Sequence, residues 1–295
     1  MKIKEALQKH SSIEIDLLLS YILGKPKEFL YINQDNNLTI KQLNRLQRLI
    51  KRRLKGEPMA YILGYKDFYG LRFKVNRDVL VPRPETELMV EKTIERLKNL
   101  KIKRLGRKIR ILDIGTGSGC VIISIAKALS AKHIAQMVEL YASDISQKAL
   151  NLARKNFKHI IKQNFHTTQY ESFAAKVKFM RSDLLGNVKI DPDIVVANLP
   201  YGWRDWKNQS LKETKGLKFE PKQALFTKDH GLYQINRLLY QIAQRKVRPK
   251  IVLLEFDPRQ KAELTKSIKK YLPEAETKFF KDYGGFWRLA EIMIV

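Results

Sequence analysis

The chain has 295 residues and a net charge of +27, so it is long enough for more than one domain and basic enough to attract polyanions such as nucleic acid. Its single cysteine, Cys120, excludes a disulfide framework and argues against a cysteine-based zinc site, so we expect no bound metal. The sequence shows neither a signal peptide nor a long apolar run, which predicts a protein of the cytoplasm with no membrane association.

Residues 1–66 are predicted to form a small helical domain. An apolar helical pattern covers residues 13–23 and ends at Gly24, and Thr39 is placed to cap a second helix that ends before Gly56 and Pro58. The outer face of this second helix, residues 39–55, is strongly basic: Lys41, Arg45, Arg48, Lys51, Arg52 and Lys55. This face indicates either a solvated surface or a docking surface for an RNA-rich or acidic partner.

Residues 67–83 are predicted to form a β-hairpin that links two domains. Apolar Tyr69, Leu71, Phe73 and Val75 alternate with other residues, which is the period of a strand. A turn is expected at residues 76–78, followed by a second strand at residues 79–81.

Residues 84–295 alternate between helical and strand patterns. Helices are expected at 84–100, 121–129 and 232–244, and strands at 109–114, 138–143, 177–180, 194–197 and 251–256, with a final antiparallel pair at 277–280 and 288–295. This alternation predicts an α/β fold: a Rossmann-like, doubly wound and mostly parallel sheet with an antiparallel C-terminal strand.

The first of these strands runs into a glycine-rich turn, Asp113-Ile114-Gly115-Thr116-Gly117-Ser118-Gly119. Glycines permit a tight turn and let the backbone approach a ligand closely. The spacing is not the Gly-x-Gly-x-x-Gly of dinucleotide sites, so no pyrophosphate cradle is needed. We therefore predict S-adenosylmethionine as the ligand, with Asp113 near its cationic amino group. A purely structural turn is the alternative.

The next two strands also end in carboxylates. Asp144 is placed to accept hydrogen bonds from both ribose hydroxyls of the cofactor, although it can also cap the helix that follows. Asp183 is placed to accept from the exocyclic amine of adenine, although an aspartate at a strand end is often only a turn residue. Together with its neighbour Leu184 it completes the predicted cofactor site.

A further strand delivers Asn198-Leu199-Pro200-Tyr201 at its carboxyl end, where ligands of open α/β sheets bind. A conjugated nitrogen is a poor nucleophile but has N–H donors. The Asn198 side-chain oxygen and the Leu199 carbonyl can accept them and stabilise developing positive charge. Pro200 stiffens the loop, and Tyr201 offers a flat face for stacking. The motif predicts methylation of a planar nitrogen, and an ordinary Asn-Pro turn is the alternative.

Several segments match one known family. They are Glu57-Pro58-Met59-Ala60-Tyr61-Ile62-Leu63-Gly64, Asp67-Phe68-Tyr69-Gly70-Leu71-Arg72-Phe73, Val79-Leu80-Val81-Pro82-Arg83-Pro84-Glu85-Thr86-Glu87, residues 113–119 and 182–186, Phe219-Glu220-Pro221-Lys222-Gln223-Ala224-Leu225 and Leu253-Leu254-Glu255. On these residues, over nearly its whole length, the chain resembles the HemK/PrmC family of peptide chain release factor glutamine methyltransferases.

The resemblance implies a helical domain that contacts the release factor, a linking hairpin and a methyltransferase domain. It implies transfer of a methyl group from S-adenosylmethionine to the side-chain amide nitrogen (N5) of the glutamine in the Gly-Gly-Gln motif of class 1 release factors. Residues 115–119 and Asp144 would bind the cofactor, and residues 198–201 would hold the glutamine amide. Residues 82–86 would line the same crevice or serve only to begin a helix.

One departure from the family pattern is Leu199, where Asn-Pro-Pro-Tyr is usual. Leucine keeps the backbone carbonyl, so we expect activity with a less rigid loop. Asn-Leu-Pro-Tyr also resembles the motif of ribosomal RNA adenine-N6 dimethyltransferases, but those lack the N-terminal domain and the Pro-Arg-Pro-Glu-Thr-Glu segment. The sequence is also compatible with a ribosomal-protein glutamine methyltransferase, or with a non-catalytic basic module that binds release factors or ribosomes. Trp203 and Trp206 either close over the substrate or pack their loop onto the sheet.

Overall fold

A computed structural model of the chain describes residues 1–9, 14–99, 107–131, 135–164, 176–203 and 215–294. The chain divides into two compact units, one of Met1–Tyr65 with Lys207–Phe219 and one of Lys66–Trp206 with Glu220–Val295. This grouping assigns the hairpin from Lys66 onward to the second unit. The division predicted from the sequence, 1–66, 67–83 and 84–295, stays a prediction.

The first unit is helical, as the sequence predicts. Its helices are α1 (Ile3–Lys9), α2 (Ile15–Leu23), α3 (Lys27–Ile32), α4 (Ile40–Leu54) and α5 (Met59–Leu63). The Thr39 side chain accepts from the Gln42 backbone while the Gln42 side chain accepts from the Thr39 backbone, so a capping box begins α4. Gly24, at φ +63°, ends α2. Apolar faces of these helices meet in a core of their own.

The hairpin lies earlier in the chain than the sequence pattern suggests. Its strands are β1 (Tyr65–Phe68) and β2 (Leu71–Lys74), and the predicted strand at 79–81 is wrong because these residues are irregular. The turn residues Tyr69 and Gly70 both have positive φ, +50° and +67°, as a two-residue type I′ turn requires. The short turn closes the hairpin before residue 76, which leaves residues 79–81 to line a pocket instead.

The second unit is built on a seven-stranded sheet in the order β5-β4-β3-β6-β7-β9-β8. Its strands are β3 (Ile109–Ile114), β4 (Val138–Asp144), β5 (Val177–Arg181), β6 (Ile194–Ala197), β7 (Ile251–Glu255), β8 (Glu276–Lys281) and β9 (Trp287–Met293). Strands β3 to β7 are parallel, and β9 pairs with β7 and β8 antiparallel. The predicted α/β fold is confirmed.

Helices cover both faces of this sheet. They are α6 (Glu87–Asn99), α7 (Cys120–Ala131), α8 (Gln147–Asn164), α9 (Lys222–Leu225), α10 (Tyr233–Ala243) and α11 (Lys261–Tyr271). Successive strand residues point to opposite faces. Ile194 and Val196 of β6 therefore enter the core on one face, and Val195 and Ala197 enter the core on the other. No helix in the described part of the chain is long and apolar enough to cross a membrane.

The register of the parallel strands determines which residues meet at the edge of the sheet. Ile114 lies beside Ser143 on one side and Ala197 on the other, and Ala197 lies beside Leu254. The residues that follow these four are Gly115, Asp144, Asn198 and Glu255. One row across four neighbouring strands therefore delivers a turn glycine, two carboxylates and an amide to the same edge of the sheet.

Asn156 of α8 ties the hairpin to the glycine-rich turn. Its side chain is fully buried, donates to the carbonyls of Lys74 (3.0 Å) and Ser118 (2.8 Å), and accepts from the Lys74 amide (2.9 Å). A single amide thus satisfies three backbone groups in two segments that are far apart in sequence.

We expect Asn156→Ala to lower the free energy of unfolding by about 2 kcal/mol, because it leaves buried backbone groups without partners. Denaturant unfolding measures the loss. Asn151→Ala, an exposed position of the same helix, is the matched control and is expected to change stability by less than about 0.5 kcal/mol. Equal effects of the two substitutions would contradict this role of Asn156.

Candidate active site

The glycine-rich turn after β3 has a backbone conformation that residues with a side chain rarely adopt. Gly115, Gly117 and Gly119 have φ of +71°, +55° and +82°. A Cβ on Gly119 would lie 2.7 Å from Ile123 Cδ1, so the helix packs directly on this glycine. The amides of Gly115 and Thr116 donate to the Ser143 carbonyl at 2.9 and 3.0 Å, which joins the turn to β4. Here glycine is required by both backbone conformation and close packing.

Two carboxylates stand at the edge of this turn. The Thr116 hydroxyl donates to Asp113 Oδ2 (2.6 Å), and burial raises the pKa of Asp113 to about 7. Asp144 accepts from the Gly117 amide (2.9 Å) and the Ser146 amide (2.8 Å), and burial also raises its pKa. The capping interaction and the ligand role considered for Asp144 are therefore compatible, because each carboxylate oxygen has a second lone pair.

The other predicted cofactor residues reach the same pocket, which is lined by Thr116, Gly117, Ser118, Asp183 and Leu184 as well as by Asp113 and Asp144. Asp183 forms a two-point ion pair with Arg237 of α10, at 2.7 and 3.1 Å. Leu184, buried at φ +49°, turns the chain at the pocket wall. Gly119 alone among the predicted cofactor residues does not line the pocket, since it packs against α7 and α8.

The pocket lining is acidic, although the protein as a whole is basic. The pocket has a volume of about 1070 Å³ including its mouth, and its acidic and basic lining residues are four aspartates, Asp78, Asp113, Asp144 and Asp183, against one arginine, Arg83. Arg83 is itself neutralised by Glu220 at 2.6 Å. Such a lining suits a cationic ligand and disfavours a phosphate. A sulfonium with an ammonium group, as in S-adenosylmethionine, fits these donors and acceptors.

The acceptor motif is held by a buried hydrogen-bond network. Asn198 Nδ2 donates to Thr86 Oγ1 (3.1 Å), and the Thr86 hydroxyl donates to Glu255 Oε2 (2.6 Å). The Tyr201 hydroxyl donates to Glu255 Oε1 (3.0 Å). Among the described residues, neither Asn198 Oδ1 nor the Leu199 carbonyl accepts a hydrogen bond from the protein. Both predicted acceptors are therefore available to a ligand.

The backbone of residues 199–201 is fixed from two sides. Leu199 is buried, and a Cβ on Gly115 would lie 3.3 Å from Leu199 Cδ2, so its side chain packs over the glycine-rich turn. The Tyr201 carbonyl accepts from Gln260 Nε2 at 2.9 Å. A Cβ on Gly231 would lie 1.9 Å from the same carbonyl, so only glycine fits there. Leu199, which stands where the family pattern has proline, is thus held in place by its packing against the turn.

The segment 82–86, for which the sequence left open a crevice-lining or a purely structural role, lines the pocket through Pro82, Arg83 and Thr86, and Val81 before it does so as well. The Val81 amide and the Arg83 guanidinium both bind the buried carboxylate of Glu220, at 3.0 and 2.6 Å, and Thr86 binds Asn198. From the sequence, Glu220 and Glu255 stand out only as parts of matching segments. In the local sequence each is only an acidic residue next to an apolar stretch. The partner of Glu220, Arg83, lies 137 residues away in the chain, and the partner of Glu255, Thr86, lies 169 residues away.

Of the two loop tryptophans, Trp203 is half-buried, with the Arg259 guanidinium 4.7 Å from the centre of its ring. This contact fixes Trp203 against the 3₁₀ turn Pro258–Gln260. Trp206 lies outside the described residues.

A doubly wound sheet with an antiparallel C-terminal pair, a glycine-rich turn and an acid-lined pocket is the arrangement of class I S-adenosylmethionine-dependent methyltransferases. The fold is similar to that of the hMettl16 catalytic domain crystallised with a hairpin of the MAT2A 3′UTR, with a TM-score of 0.54, 16% identity and coverage of 77% of this chain and 76% of that one. At that identity the similarity concerns the fold alone.

Sequence comparisons define the family. Residues 2–64 match the PrmC N-terminal domain, and residues 81–271 match the N-6 DNA Methylase family. The release factor glutamine methyltransferase of Buchnera aphidicola subsp. Acyrthosiphon pisum is 33% identical over 292 residues, which cover 96% of this chain and 94% of that one. The chain belongs to the release factor glutamine methyltransferase family.

A second relative has a different length. The bifunctional methyltransferase of Rickettsia felis is 33% identical over 267 residues, which cover 82% of this chain. The chain spans about half of that relative, 47% of its length.

We expect Asp144→Asn to weaken S-adenosylmethionine binding about tenfold or more, measured by isothermal titration calorimetry. An amide has one oxygen for the two backbone donors that Asp144 now binds, and it loses the charge that strengthens bonds to ribose hydroxyls. Asp67→Asn removes an exposed hairpin carboxylate paired with Arg72 and is the control. Unchanged affinity in Asp144→Asn would remove this residue from the cofactor site.

Proposed function

We propose that this protein transfers a methyl group from S-adenosylmethionine to the side-chain amide nitrogen of the glutamine in the Gly-Gly-Gln motif of class 1 release factors. The observation that carries the proposal is the pair of available acceptors, Asn198 Oδ1 and the Leu199 carbonyl, beside the acid-lined pocket. The proposed substrate works on translating ribosomes, so the proposal places the enzyme in the cytoplasm.

The cofactor end of the site would bind S-adenosylmethionine through its carboxylates and through the backbone of the glycine-rich turn. Asp144 would accept from the ribose hydroxyls, and Asp183 with Leu184 would contact the adenine. Asp113, buried next to Thr116, would meet the ammonium group, and a cation at that point would lower its raised pKa again. Residues 115–119 would let the ligand approach the backbone. When bound, S-adenosylmethionine would supply an electrophilic methyl group, with S-adenosylhomocysteine as the leaving group and product.

The acceptor end would orient the glutamine amide. Asn198 Oδ1 and the Leu199 carbonyl would each accept one amide N–H, which fixes the plane of the group and leaves its nitrogen facing the pocket. As the nitrogen gains positive charge, both acceptors stabilise it more strongly than they stabilise the ground state. Tyr201 would stack on the planar group, and Pro200 restricts the loop. Most of the catalytic effect is orientation.

The choice of glutamine over a nucleobase is supported by the N-terminal part of the chain. The match to the PrmC N-terminal domain covers residues 2–64, and relatives named release factor glutamine methyltransferase align over most of the chain. The match to the N-6 DNA Methylase family covers residues 81–271, which carry the glycine-rich turn and the acceptor motif common to both chemistries.

We expect tritiated S-adenosylmethionine to label a class 1 release factor and to leave unlabelled a Gly-Gly-Ala variant of that factor, naked ribosomal RNA and ribosomal proteins. We expect Asn198→Ala to lower kcat about 100-fold or more while calorimetric cofactor affinity is largely retained. Asn151→Ala is the matched control, because Asn151 is an exposed helical residue outside the pocket.

Three results would contradict this proposal. Label in RNA with none in the factor would indicate a nucleobase methyltransferase, and label in a ribosomal protein would indicate the sister activity. Unchanged turnover in Asn198→Ala would remove this residue from the reaction.

We also propose that α4 of the helical unit contacts RNA, which would bring the enzyme close to ribosomes. Arg48, Lys51 and Lys55 are exposed on one side of this helix and span about 10 Å along its axis. Among the described residues these three have no carboxylate within 4 Å, whereas neighbouring Arg52 and Arg53 are paired with Glu57 and Glu14. A stripe of unpaired cations suits a row of phosphates.

We expect the triple variant Arg48→Gln, Lys51→Gln and Lys55→Gln to bind a fluorescein-labelled ribosomal RNA fragment more weakly. The slope of log Kd against log salt concentration, measured by anisotropy, should fall by about 2, because each phosphate contact releases counterions. The control removes the same charge from α11 through Lys266→Gln, Lys269→Gln and Lys270→Gln. Equal losses in both variants would mean that only overall charge attracts RNA.

A further inference from the structure

The described residues include seven buried carboxylates, and two of them differ from the rest. Five are in ion pairs with an arginine: Glu57, Asp193, Glu220, Asp257 and Glu291. Over the same described residues, Asp113 and Glu255 have no such partner, and both lie in the active site. A buried carboxylate without a cation is costly. Glu255 is thus held by hydrogen bonds rather than by an ion pair, although Arg288 faces it at longer range.

The partners of Glu255 are two hydroxyl groups that belong to the acceptor site. Thr86 donates to one carboxylate oxygen at 2.6 Å, and Tyr201 donates to the other at 3.0 Å. Glu255 ends β7, in the same row as Asn198 at the end of β6. One carboxylate thus holds both the residue that supports Asn198 and the ring of Tyr201.

This arrangement gives the network a single direction. An ionised carboxylate only accepts hydrogen bonds, so the one proton of the Thr86 hydroxyl is committed to Glu255. Thr86 Oγ1 can then only accept on its other side, and the donor of the Asn198 side chain is Nδ2, at 3.1 Å. The amide of Asn198 is therefore oriented with Oδ1 away from Thr86. In a flipped amide, Nδ2 would face the donors of the substrate.

We propose that Thr86 and Glu255 are positioning residues of the methyl transfer, which fix the orientation of the Asn198 amide and of the Tyr201 ring through this one-way chain of hydrogen bonds. This inference rests on the proposed function for its kinetic consequence, since only a substrate with N–H donors needs Oδ1 in this orientation. The orientation of Asn198 itself does not depend on which substrate is methylated.

The first experiment compares substitutions at Thr86. Thr86→Val keeps the shape of the side chain and removes the hydroxyl, so kcat for the release factor is expected to fall about tenfold or more, with cofactor affinity unchanged. Thr86→Ser restores the hydroxyl and is expected to recover most of the lost kcat. Thr93→Val is the matched control, because Thr93 is equally buried but bonds only to the Met89 carbonyl of its own helix.

The second experiment tests the charge of Glu255 at saturating substrate and cofactor. In the described part of the chain, the groups that face this carboxyl are Thr86, Tyr201, Glu85, Arg288 and the Cys120 thiol, and burial raises the pKa of Glu255 to about 7. Protonated Glu255 can donate, so the one-way chain is lost, and kcat is expected to fall as the pH drops below about 7. Glu255→Gln presents an amide donor to one of the two hydroxyls and is expected to have a low kcat without this pH-dependent step.

A third measurement needs no acceptor substrate. With ¹⁵N-labelled asparagine, the side-chain amide signal of Asn198 is identified by its absence in Asn198→Ala. We expect this signal to shift or broaden in Thr86→Val and Glu255→Gln, and to stay in place in Thr93→Val.

The outcomes separate the two hypotheses. Wild-type kcat in Thr86→Val, or an unmoved Asn198 signal in both site variants, would overturn the positioning role. Loss of cofactor affinity parallel to kcat would reduce Thr86 and Glu255 to a purely structural role. A wild-type protein that leaves the release factor unlabelled would overturn the proposed function, while the Asn198 signal would still decide the orientation of the amide.

Discussion

The register of four parallel strands is the constraint on which the site depends. Because Ile114, Ser143, Ala197 and Leu254 lie side by side, the residues after them leave the sheet at one level. That level holds Gly115, which begins the turn, the carboxylate of Asp144, which we propose for the ribose hydroxyls, and Asn198 and Glu255, which we propose for the acceptor and its orientation. A shift of one residue in any of these strands would reverse the direction of every side chain in it.

The pocket and the protein as a whole differ in the sign of their charge. The protein carries a net charge of +27, yet the pocket lining holds four aspartates and one arginine that is already paired. Buried acids that stabilise the fold have arginine partners, as Glu291 has Arg96. Asp113 and Glu255 are bound by hydroxyls instead, and burial raises the pKa of each to about 7. Among the described residues, the buried carboxylates without an ion pair are thus confined to the glycine-rich turn and to the surroundings of Asn198 and Tyr201.

The sequence predicts the elements better than it predicts their contacts. The strands 109–114 and 194–197 are found at their predicted bounds, because a short continuous apolar run that ends in a turn is typical of a buried strand. The predicted hairpin is misplaced because Tyr69 takes a positive φ that a tyrosine rarely adopts, so its turn carries no strong signal. The bond from Thr86 to Glu255 joins residues 169 positions apart, and no local pattern predicts such a pairing.

The packing of Leu199 against the glycine-rich turn makes positions 115 and 199 depend on each other. Position 115 has no side chain, and the space that a Cβ would need is bounded by Leu199 Cδ2. Proline at position 199, which the family pattern has, is a smaller group there. The loop of residues 199–201 and the glycine-rich turn therefore form one packing unit. Leucine at position 199 therefore adds a steric reason for glycine at position 115 to the reason that its φ of +71° already gives.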